Sequence, residues 1–168
     1  NYNNANNMYY MNLTTHAFLM IFFMTMPIII GTSGNWMIPI MSSSSDLMFP
    51  RMNNTSFWML TPSLMMMSMN MMMTENINTG WTMYPPLSSQ TNTSMNMIIL
   101  SLHLNGLSSI LSSMNFIISV MFNKPKSMEM SKITLMSWAI TITSILLMLS
   151  LPVLASAITM TIMDNNMS

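Results

Sequence analysis

Cysteine is absent from this sequence of 168 residues, and charged residues make up only 5% of it. The lack of cysteine excludes a disulfide framework and a thiolate metal site. The four Lys and Arg residues form no basic run, so no nucleic-acid-binding face is present. The sequence also contains no GxSxG, P-loop or GxGxxG motif, which argues against hydrolases and nucleotide-binding enzymes.

What remains is strongly apolar. Hydrophobic residues make up 51% of the chain, a balance that no ordinary soluble domain shows. Most of the 29 methionines lie inside apolar segments such as Leu64–Met73, where they resemble replacements for leucine rather than an exposed store for soft metals. The composition therefore indicates a membrane protein.

Four stretches are long enough to cross a bilayer, because about 20 apolar residues in a helix cover the hydrocarbon core. They run over about residues 13–41, 56–74, 93–122 and 133–163. Prolines within them are tolerable where neighbouring helices satisfy the freed carbonyl groups. We predict an all-α fold, a polytopic transmembrane helix bundle with four spanning helices.

Basic residues predict the orientation of this bundle. Arg51 lies between the first two spans, and Lys124, Lys126 and Lys132 lie in or beside the loop between the last two. Neither terminus nor the loop over residues 75–91 contains Lys or Arg. By the positive-inside rule, the two basic loops are inside and both termini are outside.

Two histidines lie within the predicted spans. An ionisable side chain there is a functional hypothesis by default, although His16 could also sit at the interface, where water satisfies it. Together, His16 and His103 could bind one haem between two helices, as in a small four-helix membrane cytochrome. A non-catalytic membrane assembly subunit is a third interpretation.

A single carboxylate follows the first span. Asp46 lies in the same inside loop as Arg51, and Asn35 lies 19 residues after His16, roughly 28 Å along a helix. Asp46 could admit protons, pair with Arg51, or cap a helix that begins near Asn54. Spacing alone favours the pair with Arg51.

Six strings in order resemble the catalytic subunit, subunit I, of the haem-copper oxidases, the family of mitochondrial cytochrome c oxidase. The strings are THAFLMIFFMTMPIIIGTSGNW, DLMFPRMNNTSFW, TGWTMYPPL, SLHLNGLSSIL, MNFI and LSLPVLASAITM. The resemblance extends from about Tyr9 to Asp164. It implies that the four spans match the second to the fifth of twelve helices, in the mitochondrial inner membrane, with both termini facing the intermembrane space.

The resemblance implies a haem site around His16. In the family this histidine is an axial metal ligand of the low-spin haem a, and the GW pair, Gly80 and Trp81, lies beside the haems. Without the resemblance, Trp81 would be interpreted as an interfacial anchor. Further apolar packing for the haem ring is expected from Tyr9, Leu13, Ala17, Met20 and Met24.

The resemblance also changes the interpretation of Asp46. In the family the matching aspartate opens the D-pathway, which carries protons from the inside toward the active site. The polar positions that match this pathway are Asn35, Asn53, Ser56, Ser101, Ser108, Ser109 and Asn115.

The function implied is electron transfer from cytochrome c to oxygen coupled to proton translocation. This chain would contain no catalytic residue of its own, because haem a3, copper B and their histidine ligands belong to the remaining helices. The expected partners are other fragments of a naturally split subunit I, the remaining oxidase subunits, including the copper A subunit that docks cytochrome c, and the lipid bilayer.

Overall fold

The computed structural model describes residues 2–72, 77, 79–89 and 93–167, and the described part contains helices and no strand. The long helices are α1 (Tyr2–Phe18), α2 (Ser33–Met41), α3 (Pro50–Met72), α4 (Thr93–Phe122) and α5 (Leu135–Met167). Two short 3₁₀-helices, Leu87–Ser89 and Met130–Lys132, lie in the connections. The predicted all-α bundle is confirmed.

The helices α1 and α2 are joined into one continuous span by two π-helical stretches, Leu19–Thr25 and Pro27–Thr32. Pro27 has no backbone N–H to donate, and the N–H of Met26 already bonds to the carbonyl of Ile21, five residues back. Such wider turns are frequently found at functional sites. We call the helix Met8–Met41 the N-terminal span.

Three helices are long and apolar enough to cross a membrane: Met8–Met41, Thr93–Phe122 and Leu135–Met167. The span predicted at residues 56–74 corresponds to α3, and its last two residues lie outside the described part. At 23 residues α3 is long enough to cross, but its asparagine, serine and proline residues lower its mean hydropathy. It begins earlier than expected, at Pro50, because proline suits the first position of a helix.

The central helix of the bundle is α4, which packs along both α3 and α5. Serine hydroxyls of α4 donate to backbone carbonyls of α3: Ser101 Oγ lies 2.7 Å from Ser63 O, and Ser108 Oγ lies 2.6 Å from Ser56 O. Small side chains permit this close approach, and in a bilayer such hydrogen bonds help to hold helices together.

Two hydrogen bonds define the ends of the bundle. At one end, the Asn123 side-chain amide donates to the carbonyl of Asp46 at 2.7 Å, so the loops after α2 and after α4 lie together. At the other end, the Thr14 hydroxyl donates to the carbonyl of Thr79 at 2.6 Å. His16 and Asp46 therefore lie toward opposite ends. Which end faces the inside stays a prediction.

Candidate functional site

The first candidate site is the outer face of the N-terminal span around His16. His16 is exposed at the surface of the chain, whereas Thr14, Thr15 and Phe18 are buried inside the bundle. Spacings of three and four residues place side chains on one face of a helix. The exposed apolar residues that follow these spacings through His16 are Tyr9, Leu13, Met20 and Met24, and the half-buried Ala17 lies beside them.

This face is mostly apolar, and besides the imidazole it carries one exposed amide, that of Asn12, four residues before His16. Tyr9 is 63% exposed and Leu13 is 52% exposed, and an exposed apolar surface of this kind marks contact with lipid or with a bound group. His16 forms no hydrogen bond with another described residue, and no cluster of three His, Cys, Asp or Glu residues occurs in the described part. A single imidazole on an apolar face fits an axial haem ligand, because the porphyrin supplies the four equatorial nitrogens.

The segment that contains Gly80 and Trp81 reaches the same end of the N-terminal span. Its buried residue Thr79 accepts the hydrogen bond from Thr14, two residues before His16. Gly80 and Trp81 then turn outward and are exposed. No atom lies within 4 Å of the position that a Cβ would take at Gly80, so there is room for a large group to approach this backbone.

The second candidate site is a cavity of about 320 Å³ between the N-terminal span, α3 and α4. Five of the predicted proton-pathway residues line it: Asn35, Asn53, Ser56, Ser108 and Ser109. Three further polar residues, Thr32, Asn105 and Ser112, were not predicted and line the same cavity. The spacing of Asn105 and Ser112 from Ser108 on α4, three residues back and four forward, would have placed them on its face.

Most of the lining of this cavity is apolar, but its amide and hydroxyl groups could bind ordered water. Asn35 Oδ1 is buried and has no hydrogen-bond partner among the described residues, so a water molecule would satisfy it. Each water needs only about 30 Å³, and the cavity is many times larger. Ser108 donates its proton to the Ser56 carbonyl, which leaves its oxygen free to accept from water.

Three residues predicted for the pathway do not line the cavity. Ser101 bonds to the carbonyl of Ser63, and both polar atoms of the Asn115 side chain bond to the backbone of Phe49. Asp46 lies in the loop before α3, and its carboxylate is exposed.

Comparison with known proteins identifies the family. A family model described as Cytochrome C and Quinol oxidase polypeptide I matches residues 1–168. The chain belongs to this family. It is 42% identical over 164 residues to cytochrome c oxidase subunit 1 of Eremothecium gossypii, which covers 96% of this chain and 31% of the relative. It is 43% identical over 157 residues to the same subunit of Yarrowia lipolytica, which covers 92% of this chain and 29% of the relative. The chain thus spans about a third of the length of the curated relatives that it matches.

The hydrogen bonds of the second histidine, His103, bear on the bis-histidine alternative. The ring of His103 points between α4 and α5, where Nδ1 lies 2.9 Å from the carbonyl oxygen of Ile99 and Nε2 lies 3.2 Å from Thr159 Oγ1. Both ring nitrogens are therefore engaged. This geometry gives no support to a haem held between His16 and His103.

The surroundings of Asp46 bear on the remaining alternatives. Asp46 Oδ1 accepts a hydrogen bond from the backbone N–H of Leu47 at 2.8 Å. No ion pair joins Asp46 to Arg51, although the structure describes both residues. The first residue of α3 is Pro50, and the carbonyl of Phe49 accepts its first helical hydrogen bond, so Asp46 does not cap the helix.

Proposed function

We propose that this chain is the part of cytochrome c oxidase subunit I that supplies one axial ligand of the low-spin haem a and the entrance of the D proton pathway. The enzyme would transfer electrons from cytochrome c to oxygen and translocate protons across the mitochondrial inner membrane. Both termini would face the intermembrane space, because the basic loops would lie on the opposite side.

The observation that supports the haem role is the apolar face around an exposed imidazole. His16 would bind the iron, and Tyr9, Leu13, Met20 and Met24 would pack against the ring. The haem, when bound, supplies one-electron transfer. The chain itself orients the imidazole through the buried opposite side of the helix, and the apolar side chains exclude water.

The observation that supports the proton role is the group of amide and hydroxyl side chains that lines part of a largely apolar cavity. The exposed carboxylate of Asp46 lies at the end of the bundle where α3 begins, and the cavity lies between Asn53, Ser56 and the facing side of α4. Hydroxyls and amides that bind water can hold a chain of hydrogen bonds along which protons move. Asp46 would take protons from the aqueous side, and the cavity would pass them toward the membrane interior.

The remaining ligands must come from residues that this sequence does not contain. It has only two histidines, and His103 is engaged between α4 and α5. The second axial ligand of haem a, the haem a3 site and the copper B site would belong to the rest of subunit I. The copper A subunit would dock cytochrome c, and the bilayer would cover the apolar faces that remain.

The reduced-minus-oxidised spectrum of the assembled oxidase tests the haem role. The His16→Ala variant is expected to lose the low-spin haem band, because the iron loses an axial ligand. The His103→Ala variant is the matched control and is expected to keep the band. An unchanged spectrum in His16→Ala would exclude the assignment, and loss of the band in both variants would favour the bis-histidine cytochrome.

A further inference from the structure

The structure shows how α4 holds the loop that contains Asp46. Asn115, Ser119 and Asn123 follow one another at intervals of four residues, so they lie along one face. Asn123 comes directly after the last residue of α4. It continues the helical hydrogen-bond pattern, because the Asn123 N–H donates to the carbonyl of Ser119 at 3.0 Å. All three side chains contact the backbone of the loop.

The first of these contacts is a reciprocal pair. Asn115 Oδ1 accepts from the backbone N–H of Phe49 at 3.1 Å, and Asn115 Nδ2 donates to the carbonyl of the same residue at 3.1 Å. That carbonyl also accepts the first helical bond of α3, from the N–H of Asn53 at 3.2 Å. Asn115 therefore fixes both the end of the loop and the beginning of α3.

The other two contacts bind the part of the loop that lies nearer to the Asp46 carboxylate. Ser119 Oγ accepts from the backbone N–H of Met48 at 3.0 Å, and Asn123 Nδ2 donates to the backbone carbonyl of Asp46 at 2.7 Å. The loop backbone is thus bonded to α4 at three points, while the carboxylate itself stays exposed.

We propose that Asn115, Ser119 and Asn123 are positioning residues that hold Asp46 at the mouth of the proton pathway. The inference rests on the proposed role of Asp46. It gives Asn115 a different role from the pathway membership that its sequence match implied, because both of its polar atoms are occupied, its side chain is 0% exposed and it does not line the cavity. Displacing a reacting group by about 1 Å can reduce a rate strongly, so fixing this loop matters for proton uptake.

Amide hydrogen exchange in the assembled oxidase tests the proposal directly. Asn115→Leu removes the acceptor of the Phe49 amide, and Ser119→Ala removes the acceptor of the Met48 amide. Each amide is expected to exchange roughly three- to tenfold faster in the matching variant. Ser119→Ala loses only one hydroxyl, so it serves as the test if Asn115→Leu does not assemble.

Turnover kinetics separate positioning from a general loss of structure. In both variants we expect kcat to fall while KM for cytochrome c and the haem spectrum stay unchanged, because only proton uptake is slowed. Ser113→Ala is the matched control: Ser113 is buried on α4 and donates only to the carbonyl of Ile110 on its own helix, at 2.8 Å. This control should leave unchanged both kcat and the hydrogen-exchange rates of the Met48 and Phe49 amides.

The outcomes distinguish this proposal from the proposed function. If Asn115→Leu abolished proton uptake without changing the exchange of the Met48 and Phe49 amides, Asn115 would be a pathway member and the positioning role would be overturned. Unchanged exchange in Ser119→Ala would overturn it as well. Full turnover in Asp46→Asn would instead remove the proposed role of Asp46, and faster amide exchange would still show that α4 holds the loop.

Discussion

The Thr14 hydroxyl lies 2.6 Å from the backbone carbonyl oxygen of Thr79, and both residues are buried. The two are 65 positions apart in the chain, so this contact ties the segment before Gly80 to the N-terminal span. Thr14, the residue of the span that forms this contact, lies within one helical turn of His16. The candidate haem ligand and the Gly80–Trp81 pair are therefore parts of one structural unit.

Replacing Thr14 by valine keeps the shape of the side chain and removes this bond. We expect a loss of about 1 kcal/mol in local stability, because a buried carbonyl loses a donor. A shift of the low-spin haem band should follow, since the Gly80–Trp81 segment moves. The control is Thr15→Val, because the Thr15 hydroxyl bonds only to carbonyls of its own helix, those of Met11 and Asn12. Identical spectra for both variants would contradict the role of the Thr14 contact.

The exposed carboxylate of Asp46 leads to a second prediction. Asp46→Asn keeps the shape but removes the titrating group, so proton uptake and turnover should fall while the haem content stays the same. Stopped-flow measurement of proton uptake in reconstituted vesicles would show this. Glu129→Gln is a suitable control, because Glu129 is an exposed carboxylate in the loop after α4, at the same end of the bundle. Normal pumping and turnover in Asp46→Asn would eliminate it as the proton entrance.

The cavity between the N-terminal span, α3 and α4 gives a third prediction, with its control at the same residue. Ser109 lines the cavity, and its hydroxyl donates to the carbonyl of Asn105 on its own helix at 2.9 Å. Ser109→Ala leaves the cavity open and should change proton uptake little. Ser109→Ile fills the space where water would lie and should slow proton uptake, with the haem spectrum unchanged. If both variants took up protons at the normal rate, water in this cavity would not carry them.

The sequence predicted the helical bundle because long apolar segments have few alternatives in a bilayer. It predicted less well which polar residues share a cavity. Ser101 lies seven positions before Ser108 and so on the same face of α4, but roughly 10 Å further along the axis, where it reaches Ser63 instead. Asn105 and Ser112 were missed because the predicted set followed the resemblance to the family, although their spacing from Ser108 places them on the same face of α4. How far along α4 that face lines the cavity depends on packing between helices, which the spacing within one helix does not specify.

The beginning of α3 shows the same limit at a shorter range. The sequence favoured a helix from near Asn54 and a pair between Asp46 and Arg51. In the structure the helix begins at Pro50, and the amide of Asn115, 66 positions from Phe49, bonds to the residue before it. A contact at this separation cannot be predicted from neighbouring residues, so the role of Asn115 emerged only from the fold.

The close approach of the N-terminal span to α4 leads to a last prediction. A Cβ at Gly34 would lie 3.0 Å from Cζ of Phe116, whose ring is 1% exposed and has little room to move. Gly34→Ala should therefore destabilise the assembled complex by about 1–3 kcal/mol through overpacking, measured as a lower midpoint of thermal unfolding.

The control for Gly34 is Gly31→Ala, three residues earlier in the same span. A Cβ there would meet only Pro27 Cβ, at 4.0 Å, which is an ordinary contact, so its unfolding midpoint should not fall. Adding Phe116→Leu to Gly34→Ala should restore part of the lost stability, because the smaller side chain leaves room for the new methyl group. Equal stability of the two alanine variants would show that the N-terminal span can move away from α4 without cost.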